Sequence, residues 1–381
     1  MTESPALRAD ASNAASERAP SARVESRASY SAIAAFLLAA VVYVVWVQGA
    51  HLPLGGDSES LGTYAAWITG VCTAAAFAVS FVVTTRRGRL AWRRELPLAK
   101  RIVDAVVLTI AIAAVSALSI EAIANVFQQG FQGLTIDPYG GAVLAGAAAA
   151  IFAYVSSLLG SRTTAVNVAM LATLVLFMGT LASMLTSPDD RWWELHFSQL
   201  GNQSGSSSAV AFNGALILTG LVIVVFSDYA AREAAQGLAR RRADDGGFWT
   251  IRRRARTIAW LLVAAGLLMC VAGLVHDQVN TAVHVGAASG MVVAFGLLGI
   301  FTLAAVPQLP GSFLVLTVLT LAGIVVSAIL WIPVGYLNLT GVEFVSAGLL
   351  FTWFTVYART LSAYAQGEAE PGAEASASAE R

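Results

Sequence analysis

The sequence predicts an all-α fold, a polytopic transmembrane helix bundle of about ten spans. Three observations predict it: an excess of apolar residues, the spacing of the long apolar runs, and the sorting of basic residues to one side. Apolar residues make up 57% of the 381-residue chain and charged residues 12%, with a mean hydropathy of +0.70. A soluble domain carries about a quarter charged residues, so a bilayer is the solvent this composition suits.

A helix crossing roughly 30 Å of hydrocarbon needs about 20 apolar residues, because lipid offers no partner to an unpaired backbone group. Ten runs qualify, at Ser31–Gln48, Tyr64–Thr84, Ile102–Phe127, Gly140–Leu159, Val166–Leu185, Ala209–Tyr229, Thr257–Val275, Ala282–Val306, Phe313–Leu337 and Val342–Tyr357. Cytoplasmic loops retain Lys and Arg during insertion, which sets direction. With the amino terminus inside, 22 of the 23 basic residues fall on inner segments, and Arg191 alone falls outside. Removing one span before the sixth would throw the cluster from Arg232 to Arg256 to the wrong side. Both termini are therefore expected in the cytoplasm. Lys100 is the one lysine in an Arg- and Ala-rich chain, and we expect a bacterial cytoplasmic membrane.

Residues 1–29 are rich in Ala, Ser and Arg, and residues 367–381 in Ala, Ser and Glu. Both read as disordered cytoplasmic tails flanking a helical domain over residues 30–366. The first span follows a long polar tail and is expected to stay in the mature protein rather than act as a signal peptide. A loose repeat, residues 31–185 and 186–357, pairs His51 and Ser60-Leu61-Gly62 with His196 and Ser198-Gln199-Leu200-Gly201, each ahead of a span and a basic loop. Cys72 and Cys270 lie within apolar runs and read as small hydrophobes, with no disulfide framework.

Zero net charge points to no nucleic-acid partner. Chemistry would have to come from an outer polar pocket, because His51, His196, His276 and His284 all fall at outer span ends. The candidate residues are Glu121, Asn125, Glu194, His196, Ser198, Asn213, His276, Asp277 and His284. Histidines with carboxylates can bind zinc or move protons. Glu194 and His196 are two apart, however, and on a helix would diverge. A hairpin could bring His276 and His284 together, although their spacing matches no zinc pattern, so no metal and no cofactor is expected. Glu121 is the one ionisable residue well inside a span, with Asn125 one turn away on the same face, which makes it a functional candidate.

Ser187 to Gly201 reads as a short helix along the headgroups, with Ser187 as N-cap, Pro188 in the first turn and Gly201 as its stop. Trp192, Trp193 and Phe197 would be its interface anchors. Asp104 sits near the start of its span, where the helix dipole welcomes it. Thr340-Gly341-Val342-Glu343 has the form of a capping box, which makes Glu343 part of a helix start. Gly286 and Gly290 form a small-residue packing motif in the eighth span.

From Trp192 to Gly220 the chain resembles a prokaryotic membrane family known as domain of unknown function number 998. The resemblance lies in Ser198, Leu200 and Gly201, then Phe212-Asn213 opening a span, Gly220 within it, and a later turn from His276 to His284. It covers roughly the second half and implies a helical membrane bundle with no catalytic residues to carry over.

Three functions follow as expectations. A non-enzymatic protein binding lipid or a partner at the outer leaflet fits a polar-poor bundle best, with membrane lipids as its partners. A secondary transporter of a small or amphipathic substrate is the first alternative. A metal-dependent, membrane-embedded hydrolase is the second.

Overall fold

A computed structural model describes residues 5–56, 59–87, 90–203, 205–241 and 250–367. Residues 368–381, almost the whole carboxy-terminal tail, lie outside the described residues. Among the described residues ten helices are long and apolar enough to cross a membrane, and each expected span falls on one of them. They are α1 Pro5–Val47, α2 Leu61–Arg87, α3 Leu98–Gly130, α4 Pro138–Ser161, α5 Ala165–Leu185, α6 Ser207–Arg240, α7 Ile251–Leu274, α8 Thr281–Ala305, α9 Gly311–Trp331 and α10 Leu339–Gln366. The chain divides into two compact units, residues 1–163 and 164–381.

Helix α1 begins at Pro5 and runs without interruption into the first span. Its Ala-rich composition has high helix propensity, and a helix already formed in the span extends without a new nucleation step. Similarly, α6 continues past Tyr229 to Arg240 and α10 past Tyr357 to Gln366. Hydropathy marks where apolar residues stop, whereas Arg, Glu, Ala and Gln carry the helix further.

In the first unit, α4 packs against α1 and α2, and α2 against α3. Ala142, Ala145, Ala149 and Ala153 recur at helical spacing on α4, fully or almost fully buried. Small side chains let backbones approach, which is how helices associate where lipid supplies no hydrophobic drive. A Cβ on Gly160 would stand 2.8 Å from the Phe77 carbonyl oxygen. Ser80 and Ser157 join α2 to α4 through their hydroxyls at 2.8 Å. A two-residue ladder, β1 Leu52–Pro53 with β2 Thr135–Ile136, ties the loop before α2 to the loop before α4.

In the second unit, α6 and α7 form the closest pair. A Cβ on Gly220 would lie 2.4 Å from the Gly266 carbonyl oxygen, and one on Gly266 would lie 2.5 Å from that of Gly220. The expected motif in α8 makes no such approach: Gly286 faces open space, and Gly290 meets only the Leu268 side chain. Helix α10 covers α5 and α6, with α9 packed along it. At the centre, Trp353 and Tyr357 stack at 5.1 Å, and Phe313, Phe295 and Phe354 close around them. Outward-facing residues are the reverse of a soluble protein's. Leu37, Val41 and Val45 of α1, and Val315, Leu319 and Val326 of α9, are all more than half exposed. Apolar faces of that length mark contact with lipid.

Candidate functional site

Glu121 and Asn125 belong to the first unit, and the other candidates to the second. On α3, Glu121, Asn125 and Gln128 follow one another at helical spacing and receive the loop before α2. Thr63 Oγ1 donates to Glu121 Oε1 at 3.4 Å, and Ser60 and Thr63 share a hydrogen bond at 3.1 Å. The Gly56 amide donates to Asn125 Oδ1 at 2.8 Å, and the Gly55 amide to Gln128 Oε1 at 3.2 Å. A Cβ on Gly55 would stand 2.8 Å from the backbone of Ala124, so only glycine lets the loop lie so close. This polar stripe therefore holds a loop to a helix, and Gln128 is a member that hydropathy alone could not single out.

In the second unit the segment before α6 is not the single helix expected. It makes two 3-10 turns, Trp192–Glu194 and Phe197–Gly201, separated at Leu195 and by an extended His196. A helix this short gains little by itself, and tertiary hydrogen bonds decide its path. The Phe197 amide donates to Glu343 Oε2, and Ser198 Oγ donates to Glu343 Oε1 at 3.4 Å. Asn338 Nδ2 donates to the Trp193 carbonyl at 2.7 Å, and Asn213 Nδ2 to the Gly201 carbonyl at 2.9 Å. Glu343 thus serves the segment rather than a capping box. Asn338 caps α10 instead, accepting from the Gly341 amide at 2.9 Å.

Of the proposed anchors, Trp193 is 52% exposed, whereas Trp192 and Phe197 are half-buried. Phe197 packs against Trp192, Phe212 and Phe344 at 5.9, 5.4 and 5.8 Å. Glu194 is exposed and pairs with Arg191 at 4.0 Å, away from His196. Three of the residues that carry the family resemblance, Leu200, Gly201 and Gly220, are packing residues. Leu200 is fully buried, a Cβ on Gly201 would strike Asn213 Oδ1 at 2.4 Å, and Gly220 meets Gly266.

The histidines take separate roles. His196 places Nδ1 2.9 Å from Ser198 Oγ and Nε2 3.8 Å from Asp277 Oδ2. His284 is buried, its Nδ1 lying 3.0 Å from the Ala272 carbonyl and 3.1 Å from that of Val275. Both partners are acceptors, so that nitrogen carries the proton and caps the end of α7. Glu343 lies within electrostatic range of both His196 and His284. His276 is partly buried, and its Nδ1 is buried without a hydrogen-bond partner. Among the described residues no three His, Cys, Asp or Glu side chains converge as metal ligands.

Ser198, His196 and Asp277 stand in the order of a nucleophile, a base and a carboxylate. Their geometry divides the serine hydroxyl between two partners, His196 Nδ1 at 2.9 Å and Glu343 Oε1 at 3.4 Å. Glu343 accepts from the hydroxyl that a nucleophile would surrender to the base, and it also takes up the adjoining Phe197 amide, a donor that an oxyanion would need. Asp277 at 3.8 Å is beyond hydrogen-bond distance from His196.

No family model, curated protein or solved structure matches this chain. Its site has to be read from its own geometry. Beside His276 lies an open depression of about 450 Å³, lined by Gly201, Gly205, Ala209, Val210, Asn213 and Gly214. Val210 is 72% exposed, so the depression opens onto the surface beside the first turn of α6. His276 and Asn213 are its polar members.

Proposed function

We propose that this multi-pass protein binds an amphipathic lipid, without chemistry, at the histidine-bearing end of its second unit. The observation that carries the reading is the depression beside His276. It joins an apolar wall of Ala209, Val210 and Gly214 to a half-buried imidazole whose Nδ1 has no partner. An acyl chain suits the wall. A glycerol ester or headgroup oxygen at interface depth suits the part of the imidazole that lines the depression. The neighbouring segment, bonded at Trp193, Phe197, Ser198 and Gly201, forms a fixed rim rather than a moving lid. We further propose that this end faces outward from a bacterial cytoplasmic membrane, with both termini inside, on the strength of the basic loops at the opposite helix ends.

The test uses Gly214, where an added side chain meets open space, so Gly214→Phe fills the depression without disturbing the helix. Purified protein would be labelled with a photoactivatable phosphatidylglycerol and the crosslinked peptides identified. Crosslinks within Gly201 to Gly214 in the wild type, reduced about tenfold by Gly214→Phe and by His276→Leu, are the expected result. Equal labelling of all three proteins would sink the reading.

A further inference from the structure

At the basic end of the first unit an open groove of about 240 Å³ lies between α2 and α3. Ala78, Phe81 and Val82 line it from α2, and Ala105, Val106 and Ile110 from α3. Its one polar lining residue, Thr109, donates its hydroxyl to the Ala105 carbonyl at 2.7 Å and so offers no free donor. Val82, Val106 and Ile110 are exposed, and the apolar stripe continues along α3 through Ile102 and Leu98, at every fourth residue. The groove is a seat for hydrocarbon.

Charge is gathered at one end of it. Arg86 follows Val82 by four residues and Arg101 precedes Ala105 by four, so each lies one turn, about 5.4 Å, beyond the lining on its own helix face. Helices α2 and α3 pack together, and the chain turns back between Arg87 and Leu98, which puts both arginines at the same end. Among the described residues neither makes an ion pair. The nearest acid in α3, Asp104, is buried and already held by Arg93 at 2.7 Å and Lys100 at 3.3 Å. From Arg86 to Arg101 the sequence carries seven basic residues against Glu95 alone. An anion arriving here therefore meets net positive charge.

A phospholipid has the matching layout, with a phosphodiester directly above an acyl chain. Guanidinium groups bind phosphate oxygens in pairs, and basic pockets between spanning helices suit anionic headgroups. A zwitterionic lipid would bring its own ammonium against the arginines. We infer that the groove between α2 and α3 binds an anionic phospholipid, with an acyl chain along Phe81, Val82, Val106 and Ile110 and the phosphate held by Arg86 and Arg101. The site belongs to the other unit from the lipid site proposed above, and neither rests on the other.

The experiment labels the detergent-purified full chain with two probes that share one photoactivatable acyl chain, a phosphatidylglycerol and a phosphatidylcholine, and identifies the crosslinked peptides. The phosphatidylglycerol probe should label residues 78–82 and 105–110 about tenfold more than the phosphatidylcholine probe. Arg86→Gln with Arg101→Gln should erase that preference, while the other five basic residues of the segment keep its orientation. Ala105→Leu, which narrows the groove, should lower labelling there by both probes. If Arg101→Gln does not fold, Arg86→Gln alone, at an exposed position, should still reduce the preference several-fold. Equal labelling by the two probes in the wild type would overturn the site, as would an absence of crosslinks from these helices or a preference unchanged in the arginine variants. Crosslinks within residues 201–214 report the other site in the same samples, so the two readings fail separately.

Discussion

Arg93 donates from its guanidinium to the Asp104 carboxylate at 2.7 Å, with 1% and 2% of the two side chains exposed. Lys100 reaches the other carboxylate oxygen at 3.3 Å, and the Arg93 guanidinium also lies over the Phe81 ring at 5.4 Å. Asp104 stands seven residues into α3, beyond the turn where the dipole acts, so the ion pair explains its place. It folds the basic segment after α2 back against α3.

Asp104→Ala strands a buried guanidinium and should cost about 3–5 kcal/mol. Replacing both partners, Arg93→Met with Asp104→Leu, should cost far less, because no fully buried charge is left unpaired and Lys100, a third exposed, keeps its contact with solvent. Chemical unfolding in detergent checks both; a single variant as stable as the wild type would contradict the role given to this pair.

Gly220 and Gly214 make an internal comparison on α6. Gly220→Ala drives a methyl into the Gly266 carbonyl and should destabilise by about 1–3 kcal/mol, whereas Gly214→Ala, with open space around it, should be neutral or slightly stabilising. Equal Tm for the two variants would show that α6 and α7 do not depend on that close approach.

Glu343→Ala removes the acceptor of the Phe197 amide and the Ser198 hydroxyl. A charged hydrogen bond of this kind contributes about 1.5–3 kcal/mol, so the segment from Trp192 to Gly201 should open locally. Faster amide exchange or proteolytic nicking at Leu195 and His196, with the helices still protected, is the expected outcome.

Asp137 caps α4 by accepting from the Tyr139 and Gly140 amides at 3.0 and 3.1 Å, and those bonds hold its carboxyl below the ordinary value of 3.8. A depressed value means that the stabilisation is present above 3.8 and is lost as pH falls through the lower folded value. Asp137→Asn keeps a good cap and removes the titration. The Tm difference between the two proteins should therefore shrink or reverse on going from neutral to strongly acidic pH, and a difference independent of pH would refute the cap's contribution.

The proposed orientation is checked in intact cells with single cysteines. One at Gly205 should react with an impermeant reagent from the medium, while those at Arg94 and Arg241 stay shielded. The opposite pattern would reverse the molecule in the membrane.

The spans were legible in the sequence because hydrocarbon imposes a length and a composition that each helix must satisfy on its own. Local caps such as Asn338 and Asp137 were present in the sequence as residue types, yet only the fold shows which of several candidates is used. The Ser187 to Gly201 segment misled for the same reason: its helix signals were genuine but weak, and Glu343, far away in the chain, overrode them through Phe197 and Ser198. Glu121 drew attention as a lone charge in a span, and its partners Thr63 and Asn125 show that it also holds a loop.

Sequence by itself determined the all-helical fold, with ten helices among the described residues that are long and apolar enough to span a membrane, and roughly where each begins. Tertiary structure decided which polar groups meet, pairing Arg93 with Asp104 and Glu343 with Phe197, and setting Tyr357 beside Thr302. The division is physical: burial in lipid acts on every residue through its own solvation, whereas a polar contact depends on the packing of helices that are distant in the chain.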